Sequence, residues 1–145
     1  MQVAKPQINK GAVNRQSSVI PSPGEVHQGL VSFSFKYLEL EHEKFCLPDT
    51  TTKTDYFAVF CEKIQSICTM KCQEFRQAGK TLRSHNINWW RTTEPTGFAH
   101  LPQQLQDFEA WQLSLRREDL GRVHGFFIGD VFFVVWIDHE HKLYP

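Results

Sequence analysis

The chain has 145 residues, of which 41% are hydrophobic and 13% aromatic, including 12 Phe and 4 Trp. That length is one domain's worth, and so much large apolar surface excludes global disorder. Lys plus Arg and Asp plus Glu balance at 16 each, so any nucleic-acid surface has to arise from local segregation of charge.

Residues Met1–Gln28 are polar, carry Pro6, Pro21 and Pro23, and have no apolar stretch after Lys5. They read as a disordered, flexible tail rather than a secretory signal. No apolar run approaches the roughly 18 residues of a membrane span, and a cytoplasmic location is expected. The four cysteines, Cys46, Cys61, Cys68 and Cys72, are then reduced thiols. Their spacing does not suit a zinc ribbon, and Cys61 and Cys68 read as small buried hydrophobes on a helix.

A single domain is expected over residues 29–145. Val31, Phe33, Phe35 and Tyr37 alternate with polar residues, the period of a half-buried strand. A short strand at Phe45–Leu47 follows, and then a breaker at Pro48-Asp49. Tyr56, Phe60, Ile64, Ile67 and Cys68 recur at helical steps, with Thr54 or Asp55 as the cap. A second helix is expected from about Lys71 to Ala78, stopped by Gly79. Residues Leu82–Leu105, with Ser84-His85-Asn86 and Trp89-Trp90, read as a long aromatic loop, and such loops are often functional.

Trp111, Leu113 and Leu115 alternate as a strand. Arg122 to Asp138 then forms a hairpin turning at Gly129-Asp130, where Gly in the first central position suits a type II′ turn. That turn pairs Ile128 with Val131, Phe126 with Phe133, His124 with Val135 and Arg122 with Ile137. Both hairpin faces are mostly apolar, so the pair belongs at a doubly covered centre. The fold class is α+β, with two N-terminal helices packed on a mainly antiparallel sheet.

Three chemistries suit these residues. The first is metal-independent cleavage of RNA, which needs a base, an acid and a cation for the phosphate. His124 and His139 are the acid–base candidates and Arg122 the phosphate contact, since a guanidinium fork matches phosphate oxygens. Arg122 and His124 share one strand face, and Arg116 and Arg117 lie just before it. Arg117, His85 and Tyr144 are candidate substrate contacts, and Trp89 and Trp90 could stack on bases. Only one of the two tryptophans is expected to be buried. The second is a non-catalytic protein-binding module that uses the Trp loop and the tail. The third is a metal-dependent hydrolase using Asp138, His139 and His141, with the two histidines on one side of an extended chain. Under the leading reading no metal or other cofactor is needed.

The stretch from Arg122 to Tyr144 places a basic strand, an apolar strand and a short His- and Tyr-containing tail in succession. With the preceding helices, this element order resembles the RelE/ParE-like bacterial toxin superfamily over about residues 53–144. The chain departs from it in its neutral charge, its extra strand at Val31–Tyr37 and its long Trp loop. The resemblance implies a toxin-like or defence-associated endoribonuclease, acting on free or ribosome-bound RNA and held inactive by an antitoxin. It assigns phosphate contacts to Arg122 and Arg117, acid–base work to His124, and auxiliary roles to His139 and Tyr144.

Overall fold

The computed structural model describes residues 29–49, 51, 53–115 and 121–144. The N-terminal segment Met1–Gln28 and the pair Arg116 and Arg117 lie outside these residues. The fold is α+β. Its sheet has five strands in the order β1-β5-β4-β3-β2: β1 Ser32–Ser34, β2 His85–Asn86, β3 Ala110–Ser114, β4 Arg122–Ile128 and β5 Val131–Asp138. Three pairings are antiparallel, and β1 joins β5 in parallel.

The expected apolar stripe forms helix α1, Tyr56–Cys68, which buries Tyr56, Phe60 and Ile67. Asp55 occupies the N-cap position, though its side chain makes no capping hydrogen bond. Helix α2, Cys72–Gln77, buries Cys72 and Phe75. It ends at its C-cap Ala78, next to Gly79, as expected. A further turn, Gly79–Leu82, follows and closes on Arg83 in left-handed backbone, φ 51°. Cys61 is exposed and Cys68 only partly buried, so the expected burial fails for Cys61; the buried thiol is Cys72. No helix among the described residues is long and apolar enough to cross a membrane.

The two sheet faces are covered differently. On one, α1 and α2 pack Tyr56, Phe60, Ile67 and Phe75 against Leu113, Val123, Phe127, Phe132, Val134 and Ile137. On the other, irregular segments bring Phe45, Ile87, Phe98 and Leu101 onto Ala110, Phe126, Val135 and Trp136. Both faces are thus dry, as the apolar hairpin requires. Phe45–Leu47 forms no strand. Phe45 instead stacks on Trp136, ring centroids 4.6 Å apart. The first strand is shorter than its alternation suggests, because the chain turns away after Ser34 and leaves Phe35 46% exposed.

The hairpin turn behaves as expected. Gly129 has φ 59°, and Asp130 is not among the described non-glycine residues with positive φ, which is the type II′ pattern. Ile128 pairs with Val131 and Phe126 with Phe133. Beyond Gly125 the expected register fails. Gly125 pairs with Val134 but His124 pairs with Trp136 and Arg122 with Asp138, leaving Val135 as an extra residue. This β-bulge puts Val135 and Trp136 on the same apolar side and reverses the facing of every later residue in β5. The close approach at Gly125 accommodates it: a Cβ there would lie 2.0 Å from the Phe133 carbonyl oxygen.

Candidate functional site

The bulge determines where Asp138 points. With uninterrupted pairing its side chain would share the helix-covered side with Phe132 and Val134. Instead it shares the side of His124, and Asp138 Oδ2 lies 3.2 Å from His124 Nε2. Both residues are fully buried. Asp138 also accepts the backbone N–H groups of Lys142 at 2.7 Å (Oδ1) and Leu143 at 2.9 Å (Oδ2). Burial acts to raise its pKa, but the hydrogen bonds from His124, Lys142 and Leu143 prevail and hold it below the usual carboxylate value. His124 is pushed down by burial in spite of Asp138. The pair is therefore a neutral imidazole donating Nε2–H to a carboxylate.

Asp138 in this way folds the chain end back into a hook. Leu143 is fully buried, and its carbonyl accepts the N–H of Thr93 at 2.8 Å. The hook carries Tyr144 to the edge strand β2. There the Tyr144 hydroxyl accepts the Asn88 N–H at 3.0 Å, and its ring meets that of His85 edge-on, centroids 5.7 Å apart.

His85 stands on the rim of an open cleft of about 380 Å³ lined by Gly79, Arg83, Ser84, His85, Gln112 and Arg122. Arg122 leans in from the first residue of β4, and its Nη1 donates to the Gly121 carbonyl at 3.1 Å. Its pKa is lowered, first by burial and then by the neighbouring charge of Arg83. The Asp138 carboxylate acts on it in the opposite direction. His85 Nδ1 lies 2.7 Å from the Asn86 carbonyl oxygen. A carbonyl only accepts, so Nδ1 carries the proton and Nε2 is left as an acceptor. Gln112 Nε2 donates to it at 3.1 Å. Gln112 Oε1 and Ser84 Oγ, both buried, have no hydrogen-bond partner. A larger hollow of about 530 Å³ lies between α2 and the 129–130 turn, with Arg76 and Asp130 in its lining. It gathers no comparable pair of cations.

The structure thus brings together Arg122, His85 and Tyr144, and adds Arg83, Ser84 and Gln112, which the sequence did not single out. Arg83 was detectable only as a basic residue next to the Ser-His-Asn segment. His124 sits behind this wall, paired across the strands with Gln112, and has no exposed surface. A catalytic contact with RNA by His124 therefore does not fit its position. His139 lies elsewhere: its ring stands edge-on to Tyr56 of α1, centroids 6.3 Å apart. Its Nε2 is 4.0 Å from Cys46 Sγ, and burial lowers its pKa, followed by Lys53. After Asp138 the chain turns, and His141 adopts φ 59°, so the extended geometry expected to align His139 with His141 is absent. No group of three or more His, Cys, Asp or Glu among the described residues could hold a metal ion.

The two tryptophans divide as expected, although they lie in a 3-10 turn, Trp89–Arg91, rather than on extended chain. Trp89 is half-buried and packs edge-on against Phe98 and Trp136. Trp90 is 71% exposed, with the Arg91 guanidinium 4.7 Å from its ring centre.

No family model, curated protein or solved structure matches the chain. What it does has to be argued from this geometry.

Proposed function

We propose that the chain is a small toxin-like or defence-associated endoribonuclease whose phosphate site is the Arg83–Arg122 cleft. The observation that carries this reading is two arginines and an exposed histidine around one open cavity. Guanidinium groups pair with phosphate oxygens through parallel hydrogen bonds. His85 takes the acid–base role in place of His124, because it is exposed at the cleft and the Asn86 carbonyl holds its Nδ1–H, which makes Nε2 the basic nitrogen once it releases the Gln112 N–H. In the proposed step His85 Nε2 gives up the Gln112 N–H, the 2′-oxygen attacks the adjacent phosphorus and its proton passes to that nitrogen. The 5′-oxygen leaves and takes a proton from solvent, giving a 2′,3′-cyclic phosphate and a 5′-hydroxyl. The element order that resembles the RelE/ParE-like toxins supports the same class, with an antitoxin as the expected protein partner.

The deciding experiment incubates end-labelled single-stranded RNA with the full chain in the presence of a chelator. Cleavage to cyclic-phosphate ends is expected, with Arg122→Ala reducing the rate by about 10² or more, the scale of losing one charge-stabilising donor. Intact RNA over long incubation with properly folded protein would count against the reading. The exposure of Trp90 favours a second one, a protein-binding module. Under that reading Trp90→Ala abolishes capture of a protein partner, while changes at Arg83 and Arg122 leave capture intact.

A further inference from the structure

Two buried polar atoms in the cleft are left unmet by the protein. Gln112 is 4% exposed and Ser84 is 5% exposed, yet Gln112 Oε1 and Ser84 Oγ have no partner. Buried polar groups are nearly always paired in native folds; Tyr56 Oη, His124 Nδ1 and His139 Nδ1 are unmet as well, but of these five atoms the two on Gln112 and Ser84 belong to the cleft lining, where a molecule entering it is placed to meet them. The two atoms have different requirements. Gln112 Oε1 can only accept, and the Gln112 amide nitrogen is already engaged with His85. Ser84 Oγ can donate or accept. A molecule satisfying both must bring an O–H or N–H donor close to the anion that Arg83 and Arg122 attract.

The rest of the lining narrows the choice. Gly79, Arg83, Ser84, His85, Gln112 and Arg122 include no Phe, Tyr or Trp on which a base would stack. Stacking on a base is left to His85 and the guanidinium planes, so the lining favours backbone. On a nucleic-acid backbone the donor adjacent to an internal phosphodiester is the ribose 2′-hydroxyl, which both donates and accepts and which DNA lacks.

We propose that Gln112 and Ser84 recognise this 2′-hydroxyl and make the cleft selective for RNA over DNA, with little preference for base. The inference rests on the phosphodiester reading above. It makes Gln112 a positioning residue: its Oε1 holds the hydroxyl before the step, and the proton turns from there to His85 Nε2 as the oxygen attacks.

The test compares binding of three single-stranded oligonucleotides of one sequence (ribose, 2′-deoxy and 2′-O-methyl) to the full chain at fixed salt, with RNA integrity checked afterwards. RNA is expected to bind about tenfold tighter than the deoxy strand. The 2′-O-methyl strand keeps the oxygen but has no donor, so it should fall to the deoxy level. Gln112→Leu should bring RNA binding to the deoxy level measured with the same variant. The ligand series uses unaltered protein, so its outcome does not depend on how the variant folds. Equal affinity for RNA and DNA overturns the proposal while leaving the phosphate site standing. Tight 2′-O-methyl binding, or an RNA preference that survives Gln112→Leu, also overturns it. Failure to bind either nucleic acid overturns this proposal and the proposed function together.

Discussion

His124 and Asp138 meet at 3.2 Å, both fully buried, only because β5 contains one more residue than β4 between the turn and the pairing of His124 with Trp136. A bulge that looks like a local irregularity therefore connects the core to the rim of the cleft. It turns Asp138 toward His124, Asp138 draws in Lys142 and Leu143, and the resulting hook seats Tyr144 against His85.

Asp138→Ala should be among the most destabilising single changes in the chain. It leaves His124 and two backbone N–H groups without their acceptor, and breaking a buried charge-assisted network costs on the order of 3–5 kcal/mol. Asp138→Asn keeps the shape and one acceptor oxygen, so its cost should be smaller. Urea unfolding monitored by tryptophan fluorescence measures both, and an Asp138→Ala midpoint equal to wild type would contradict the network.

Acidification should weaken the fold from about neutral pH downward. His124 is held below its ordinary value chiefly by burial, so the unfolded chain binds its proton first. The stability this confers is complete above the unfolded value of about 6.5 and is lost as pH falls from there through the folded value. His139 contributes with the same sign, again first through burial. Asp138, also lowered, acts at more acidic pH: its contribution is present above about 3.9 and is lost below. Urea midpoints at pH 7.5, 6.5 and 5.5 should decline. In His124→Gln the decline should be shallower, and a wild-type profile flat across that range would refute the assignment.

Histidine substitutions should separate chemistry from architecture. His85→Ala, on an exposed edge strand, is expected to change stability by less than about 0.5 kcal/mol and to reduce RNA cleavage by 10²–10⁴, the scale of general acid–base catalysis. His124→Ala should do the reverse and lose stability through a buried cavity and an unpaired Asp138. His139→Ala should leave the cleavage rate per folded molecule unchanged. Parallel assays of melting and cleavage on the three variants decide between these roles.

Trp90→Ala should be nearly neutral for stability, since the ring is 71% exposed and its close companion is the Arg91 side chain. If the ring stacks on a base beyond the cleft, RNA affinity should fall by about 1–3 kcal/mol. An unchanged RNA affinity together with loss of a protein contact would favour the binding-module reading. Trp89→Ala should instead destabilise, because that ring is wedged against Phe98 and Trp136.

The sequence by itself determined the elements whose residues repeat with a clear period. Tyr56, Phe60, Ile64 and Ile67 define α1, and the apolar run around Gly129-Asp130 defines the hairpin, its turn type and its place at a doubly covered centre. Periodicity is a local property, so these features could be read without knowing what packs on them. The edge strand at His85–Asn86 was not legible, because two residues paired to β3 leave no pattern of their own. The bulge at Val135 was equally hidden. Val134, Val135, Trp136 and Ile137 are all apolar, so a shift of one residue changes no hydrophobic character along the strand. Only tertiary packing decided it, because Gly125 admits the Phe133 carbonyl at close range and Asp138 finds its donors on the far side. With that shift Asp138 meets the fully buried His124, while Arg122, Arg83 and His85 line the cleft.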